Sequence, residues 1–360
     1  MYASPVSGAG VQTRISALTE SLRGRLWRGG FRVSATPLLV HRTPGSVLES
    51  LPAPAPRFIA GRPRAATCSG VAWFHGNRLA TINLAGNVLH AYRFDPHARA
   101  LHPSQTLPGP DGGARPENLA FSPDGRWLAI AYCEGAIRVH AVSRASHLVA
   151  ATPAFTVRSA GDDKAHGASF SRCSRYLALT TADSGAWVRV FRIREDGSRG
   201  ARAEPVEAFT SERTRLKPKG IDFAPNGRYV AICYGSNARK APSGGGLRGL
   251  LSIHRFHAGR IDRDAVSIVG PELGIRSPED VKFFPNGTHL AVGSQAENTV
   301  AIVSVDAETG GLGGLRTTLR EGLSFPHGLG VSPDGRYLAV ANYGDDTLAV
   351  FAVRGGGPRS

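Results

Sequence analysis

The chain has 360 residues, of which 41% are hydrophobic and 20% charged, and its formal net charge at pH 7 is +15. This composition is typical of a folded globular protein, and no apolar run is long enough to predict a membrane-spanning helix. Arginine supplies 38 of the 43 basic residues and is spread through the whole sequence. We therefore attribute the charge to compositional bias and predict no nucleic-acid partner.

Residues 1–56 are basic and do not match the rest of the chain. A short apolar helical face is formed by Ile15, Leu18, Leu22 and Leu26. We predict a partly disordered extension or a short helix packed against the following domain. A membrane-surface helix is the alternative, which we do not favour because the apolar face is short. The Pro-rich residues 51–56 would link this extension to a single domain at 57–360.

From about residue 65 onward the chain repeats a three-strand pattern six times. In the last copy, strand-like runs at 328–331, 337–341 and 347–353 surround Ser332-Pro-Asp-Gly335, a sequence that suits a type I turn. The corresponding turns of the other copies lie at 73–77, 121–125, 170–174, 223–227 and 283–287. A period of about 50 residues with several short strands predicts an all-β protein, a β-propeller of four-stranded antiparallel blades.

We predict six blades, with seven as the alternative. The last copy ends at its third strand, so its outer strand must come from the segment before the first copy. An N-terminal strand of this kind closes the ring and removes a free sheet edge. We expect the propeller to begin at 57–60. In the seven-bladed alternative, the strand-like run at 37–41 belongs to a degenerate additional blade.

A polar residue begins the first strand of every copy, at positions spaced 48, 49, 53, 60 and 48 residues apart. First strands line the channel of a propeller, so these residues should form a ring at one mouth, in the order Ser69, Glu117, His166, Lys219, Glu279 and His327. The second strands should end at the same mouth, which adds Asn83, Tyr132, Thr181, Tyr234, Ser294 and Asn342. The glycine-rich loop 235–249, which contains Arg239, would act as a lid. We predict that Ser69, Arg239 and these second-strand ends bind substrate.

Two neighbouring Glu–His pairs in the ring indicate acid–base chemistry. A carboxylate beside an imidazole can fix its tautomer and raise its basicity. We predict that His166, oriented by Glu117, activates water while Lys219 stabilises an oxyanion. His327 and Glu279, expected across the channel, form the second candidate pair. Plain solvation of a wet channel would also produce a polar ring, and this interpretation stays open.

The sequence predicts neither a metal nor a cofactor. Glu117 and Glu279 could offer oxygen ligands to a cation, but their expected positions on opposite blades argue against shared coordination. The four cysteines have no C-x-x-C spacing and predict neither a metal site nor disulfides; they are Cys68, Cys133, Cys173 and Cys233. The start of the chain carries no signal-peptide pattern, so we expect a soluble protein of the reducing cytoplasm.

Motifs in the last two copies carry a family resemblance. They are Glu297-Asn-Thr-Val300, Asp306-Ala-Glu-Thr-Gly310, Phe325-Pro-His-Gly328, Ser332-Pro-Asp-Gly335 and Asn342-Tyr-Gly-Asp-Asp346. Together they resemble the propeller lactonases, which include 6-phosphogluconolactonases and carboxymuconate-lactonising enzymes, and the repeat pattern extends over residues 65–353. The resemblance implies a propeller, usually seven-bladed, that acts on lactones of sugar or aromatic acids without a required metal. It also implies a pocket of His, Glu and Arg, which the ring matches in type except that Lys219 is its basic residue.

We therefore predict a small-molecule site at the channel mouth that takes an anionic carboxylate or a lactone. If the protein is an enzyme, the predicted reaction is lactone hydrolysis or formation. The alternative is a non-catalytic propeller that docks protein partners on this mouth or on residues 1–56, because fold alone does not establish function. No Trp-Asp dipeptide is present, which argues against WD40 repeats.

Overall fold

The computed structural model describes residues 30–42, 68–110, 114–158, 164–181, 187–195, 201–210, 216–235 and 249–358. These residues form twenty-six strands and one short 3-10 helix, Pro271–Leu273. No helix among them is long and apolar enough to cross a membrane. The strands form six antiparallel sheets whose first strands contact one another in a closed ring. The prediction of a six-bladed propeller is confirmed.

The strands follow the chain blade by blade. Two short strands come first, β1 (Arg32–Val33) and β2 (Leu39–Arg42). Blade 1 contains β3 (Cys68–Phe74), β4 (Arg78–Asn83), β5 (Val88–Asp95) and β6 (Ala100–Pro108). Blade 2 contains β7 (Pro116–Phe121), β8 (Trp127–Tyr132), β9 (Ala136–Val142) and β10 (Val149–Arg158). Blade 3 contains β11 (Ala165–Phe170), β12 (Tyr176–Thr181), β13 (Trp187–Glu195) and β14 (Ala201–Thr210).

The remaining blades keep the same order. Blade 4 contains β15 (Lys217–Phe223), β16 (Tyr229–Gly235), β17 (Gly249–His257) and the short outer strands β18 (Arg260–Ile261) and β19 (Ser267–Val269). Blade 5 contains β20 (Pro278–Phe283), β21 (His289–Ser294), β22 (Thr299–Val305) and β23 (Leu312–Leu319). Blade 6 contains β24 (Pro326–Val331), β25 (Tyr337–Asn342) and β26 (Thr347–Arg354).

The outer strands of blade 6 come from the N-terminal part of the chain. Strands β1 and β2 both pair antiparallel with β26, with Val33 opposite Val353 and Leu39 opposite Val350. The predicted closure by an N-terminal strand is confirmed, and the run at 37–41 belongs to blade 6 instead of a seventh blade. Residues 32–42 thus lie in the propeller, although the predicted boundary was at 57. The predicted helix at 15–26, the linker at 51–56 and the strand at 57–60 lie outside the described residues.

The repeated turn explains why the same meander recurs. In blade 6 the Ser332 hydroxyl donates to the Asp334 carboxylate at 2.6 Å and accepts from the backbone N–H of Tyr337 at 2.9 Å. Gly335 closes the turn with φ +68°, a conformation that favours glycine. The Ser122 and Asp124 side chains make the same hydrogen bond in blade 2 at 2.6 Å. Each turn therefore fixes the register of the first two strands of its blade.

The hydrophobic core is divided into six clusters, and each cluster lies between two adjacent blades. Inner strands are consequently covered on both faces, and β22 is buried along its whole length. This burial accounts for the continuous apolar run at 300–303, which does not alternate as a half-exposed strand would. The last cluster, between blades 6 and 1, joins the two ends of the propeller.

Glycines let the first strands approach one another very closely around the channel. A Cβ atom at Gly328 would lie 2.6 Å from the Cα of Gly70, and one at Gly220 would lie 2.6 Å from the Cα of Asp280. At Gly167 it would lie 2.4 Å from the carbonyl oxygen of Lys219. Real Cβ atoms do not approach backbone atoms this closely, so glycine is required on steric grounds at these three positions.

We predict that Gly328→Ala lowers the free energy of unfolding by about 1–3 kcal/mol, because the added methyl group meets rigid backbone. Gly293→Ala is the matched control, since a Cβ there would meet only the side chain of Leu329 at 3.7 Å, an ordinary contact. Guanidinium unfolding of both variants measures the difference. Equal stabilities for the two variants would contradict the close approach of the strands.

Candidate active site in the central channel

An irregularity in every first strand turns one side chain out of the sheet. In β7 the Cα partners skip Glu117, because Pro116 lies opposite Tyr132 and Asn118 lies opposite Ala131. The register shifts in the same way around each of the other five predicted ring residues. A β-bulge leaves its extra residue unpaired and redirects its side chain. Here the bulges leave the ring residues unpaired and direct their side chains away from the sheet at the mouth of the channel.

Five of the six ring residues meet in one cluster, which we call the channel cluster: Glu117, His166, Lys219, Glu279 and His327. The shortest contact joins His166 Nε2 and Glu279 Oε1 at 2.6 Å. Glu117 Oε1 lies 3.4 Å from His166 Nε2 and 3.3 Å from His327 Nε2. Lys219 Nζ donates to Glu279 Oε1 at 3.0 Å and lies 3.2 Å from His166 Nε2.

The two imidazoles of the channel cluster are held differently. The Nδ1–H of His327 donates to the carbonyl oxygen of Ser69 at 2.8 Å, which leaves Nε2 facing the cluster. The Nε2–H of His166 donates to Glu279, whereas its buried Nδ1 has no hydrogen-bond partner among the described residues. A backbone carbonyl therefore fixes the tautomer of neutral His327 at Nδ1, whereas the tautomer of His166 is set at Nε2 by Glu279.

In the channel cluster, the acidic and basic side chains stabilise each other's charged forms. Burial by itself raises the pKa of Glu117, but the hydrogen bond and charge of His327, with the charge of His166, bring that pKa down to about 2. Burial opposes the charged form of Glu279 as well, and Lys219 and His166 hold its pKa well below the usual range. Burial lowers the pKa of Lys219 and of His327, and the two carboxylates more than compensate, so that both pKa values are raised. The two carboxylates thus favour the charged forms of Lys219 and His327.

The Glu–His contacts in the channel cluster differ from the two predicted Glu–His pairs. Two separate Glu–His pairs were expected across the channel from each other, yet each carboxylate contacts both imidazoles through the same ring nitrogen, Nε2. Glu117 therefore does not orient His166 from its distal nitrogen. The prediction that opposite blades keep Glu117 and Glu279 from sharing a ligand is also wrong, because their carboxylate oxygens lie within 4.8 Å of each other. The glycine-lined approach of the strands makes the channel narrow enough for both to reach its centre.

The predicted substrate-binding residues have other hydrogen-bond partners. Ser69 Oγ donates to the carbonyl oxygen of Pro116 at 2.9 Å, and Thr181 Oγ1 accepts from the backbone N–H of Trp187 at 3.1 Å. Asn342 donates to the carbonyl oxygen of Gly322 at 2.8 Å. The others, Asn83, Tyr132, Tyr234 and Ser294, are also buried. These side chains are not among the five of the cluster and lie at the strand ends around it. Arg239 and loop residues 236–248 lie outside the described residues.

The sequence pattern did not reveal a second layer of the channel, three residues further along each first strand. It consists of Ala72, Ala120, Ser169, Asp222, Lys282 and Gly330, and it lines a cavity of about 180 Å³ at the opposite mouth. Burial raises the pKa of Asp222 to about 6, although its carboxylate accepts from Ser169 Oγ at 3.0 Å. The constant three-residue offset from the ring could have predicted this layer.

Comparisons with known proteins show the fold and no family. No family model matches the sequence, and no curated protein matches it. A candidate 6-phosphogluconolactonase from Bacteroides uniformis is 18% identical, covering 82% of this chain and 83% of its own, with a TM-score of 0.57. A second, from Bacteroides fragilis, is 18% identical, covering 79% of each chain, with a TM-score of 0.56. The WD40 repeats of RRP9 are 12% identical, covering 81% of this chain and 96% of theirs, with a TM-score of 0.53.

We predict that Glu117→Gln lowers the free energy of unfolding at pH 7 by about 3 kcal/mol, because a buried ion pair loses one partner. The pKa of Glu117 falls from 4.5 to about 2 on folding, so its stabilising effect is present above pH 4.5 and lost as pH falls towards 2. The stability difference between wild type and variant should therefore shrink over that interval, as measured by denaturant unfolding at several pH values.

Glu134→Gln is the matched control for this prediction. Its carboxylate lies 3.6 Å from Arg115 in an exposed ion pair, so its removal should change stability by less than about 1 kcal/mol at every pH. A stability difference for Glu117→Gln that stays constant from pH 7 to pH 2 would contradict the assigned pKa shift.

Proposed function

We propose that the channel cluster binds a small lactone that carries a carboxylate and hydrolyses its ring ester. The observation that carries this proposal is the convergence of two imidazoles, two carboxylates and an ammonium within contacts of 2.6–3.6 Å. Such a set supplies a proton acceptor, a proton donor and an oxyanion partner in one place. The fold likeness to candidate 6-phosphogluconolactonases supports the choice of lactones as substrates.

His327 is the proton-transfer residue in this proposal, in place of the sequence-based choice of His166. Its neutral tautomer carries the proton on Nδ1, held by Ser69, and presents the Nε2 lone pair to the channel. His166 Nε2 instead lies 2.6 Å from Glu279, so its inward nitrogen is a hydrogen-bond donor. His166 is then a positioning residue that holds the Glu279 carboxylate.

Residues of the channel cluster can take up and return the proton that the proposed reaction transfers. Water attacks the lactone carbonyl carbon while His327 Nε2 takes a proton from the water, and the carbonyl oxygen becomes an oxyanion. The Lys219 ammonium stabilises that oxyanion. When the tetrahedral intermediate collapses, the ring C–O bond breaks and the imidazolium of His327 returns the proton to the leaving alkoxide. The product is an open-chain hydroxy acid, and the protein regains its starting protonation state.

Basic residues border the same mouth and favour an anionic substrate. Arg115, Lys164 and Lys217 each precede a ring residue by two positions on blades 2, 3 and 4, and Arg276 precedes Glu279 by three. Of these four, Arg115, Lys164 and Arg276 are exposed. Positive charge around a mouth raises the local concentration of anions and speeds their association. A carboxylate-bearing lactone would therefore be preferred over a neutral one.

We predict that His327→Gln lowers kcat/KM for lactone hydrolysis by at least about 100-fold, because general acid–base catalysis contributes about 10²–10⁴-fold. Proton release on a panel of sugar-acid and aromatic-acid lactones measures the rate. His90→Gln is the matched control: His90 is a buried histidine whose Nδ1 lies 3.2 Å from Thr106 Oγ1 in blade 1, and its variant should keep the wild-type rate. Turnover by His327→Gln at the wild-type rate would remove His327 from the mechanism.

The pH dependence of turnover provides a separate prediction. A general base must be unprotonated, and the two carboxylates raise the pKa of His327 above 6.5. Activity should therefore rise with pH through a midpoint above 6.5 and be lost as pH falls. A kcat/KM profile from pH 5 to 9 measures that midpoint. A midpoint below 6.5 would mean that some other group is the base.

A further inference from the structure

We propose that the channel cluster also binds one divalent transition-metal ion, for which zinc is the best match. Four of its side chains each offer one ligand atom, and these four atoms all lie within 4.8 Å of one another: Glu117, His166, Glu279 and His327. Imidazole nitrogen and carboxylate oxygen are ligands that zinc binds at about 2.0–2.2 Å. The set has two of each, and no cysteine is needed.

Three of the six distances between the ligand atoms are close to those around a tetrahedral ion. Four ligands at about 2.0–2.1 Å from one zinc ion lie about 3.3–3.4 Å apart. In the cluster, Glu117 Oε1 is 3.4 Å from His166 Nε2 and 3.3 Å from His327 Nε2, and Glu279 Oε1 is 3.6 Å from His327 Nε2. Of these four contacts, the hydrogen-bonded contact of His166 with Glu279, at 2.6 Å, must lengthen for an ion to enter, and the Glu–Glu and His–His pairs lie within 4.8 Å.

The surroundings of the ligands favour an ion as well. Metal-bound histidines usually donate their second ring N–H to a backbone carbonyl or a carboxylate. His327 does so already, with Nδ1 at 2.8 Å from the carbonyl oxygen of Ser69. The Nδ1 atom of His166 has no hydrogen-bond partner among the described residues, so it can carry the ring proton and leave the Nε2 lone pair for an ion once the contact with Glu279 is broken. The thiol of Cys133 donates to Glu117 Oε2 at 3.2 Å, which leaves Oε1 directed at the centre.

Lys219 is the competing cation. Its ammonium lies 3.0 Å from Glu279 Oε1 and 3.2 Å from His166 Nε2, next to two of the four ligand atoms. Two carboxylates and two neutral imidazoles carry a charge of −2, which one divalent ion would balance without the lysine. An ion there would also occupy the His327 nitrogen that the proposed hydrolysis uses, so the metal-loaded and metal-free clusters are distinct chemical states.

The test measures metal binding directly and needs no substrate. Wild-type protein, stripped with a chelator, is titrated with zinc by calorimetry and with cobalt(II) by visible absorbance, which reports tetrahedral coordination. We expect one ion per chain and a tetrahedral cobalt spectrum. His327→Ala and Glu279→Gln should each weaken zinc binding by at least about 100-fold, since loss of an outer-shell partner alone costs 10–100-fold. Lys219→Met should tighten binding by at least 10-fold, because it removes the competing positive charge.

A matched control excludes adventitious binding to surface histidines. His75 and His147 lie next to each other in blades 1 and 2, with ring centroids 4.6 Å apart and ring planes tilted by 44°, and both lie away from the cluster. Replacing both with alanine should leave the zinc stoichiometry and affinity unchanged. Loss of zinc binding in this control, or a wild-type protein that binds no ion, would overturn the proposal. If a cluster variant does not fold, the cobalt spectrum of the wild type still decides the question.

The result of the zinc-binding test can be distinguished from the result of the lactone-hydrolysis test. Lactone turnover by a protein that binds no zinc would overturn this inference and leave the proposed function intact. Zinc binding without lactone turnover under metal-free conditions would support this inference and count against the proposed function.

Discussion

The close approach of six first strands around one axis is the constraint on which the structure depends. Glycine follows the ring residue directly in four blades, at positions 70, 167, 220 and 328, and at the last three a Cβ atom would meet backbone. In blades 2 and 5 the same position holds Asn118 and Asp280, whose side chains accept hydrogen bonds from backbone N–H groups nearby. Each first strand also carries a bulge at the ring residue, and the bulges bring the charged side chains to the centre.

Stability alone does not explain the charges in the channel cluster. A buried ion pair seldom stabilises a fold more than apolar residues of similar size would, because desolvation offsets the attraction. The second layer shows that this channel can be lined with small residues, since three of its six positions are Ala72, Ala120 and Gly330. Five charged or titratable residues in the first layer are therefore better explained by chemistry than by packing. That conclusion agrees with the perturbed pKa values, which come from the residues of the cluster themselves.

Periodicity in the sequence was sufficient to predict the propeller, the blade number and the identity of the ring residues. Each depends on local signals, the Pro-Asp-Gly turns and the apolar strands, that recur at nearly constant spacing. Contacts within the ring were not predictable in the same way, because they depend on the channel radius. Six-fold symmetry alone places Glu117 and Glu279 at opposite positions, whereas the glycines and bulges decide how far those side chains must reach. The first strand pairs normally again one or two residues after the ring position, so no break in the apolar pattern marks the bulge.

The cluster has an approximate two-fold symmetry in its residue types that its contacts do not follow. Glu117 and Glu279 come from opposite blades, as do His166 and His327, and the third opposite pair is Ser69 and Lys219. The Lys219 ammonium lies 3.2 Å from His166 Nε2, while the backbone carbonyl oxygen of Ser69 accepts from His327 Nδ1 at 2.8 Å. One imidazole is therefore next to a positive charge and the other has a fixed tautomer. This difference is why the proposed hydrolysis assigns unequal roles to two chemically identical residues.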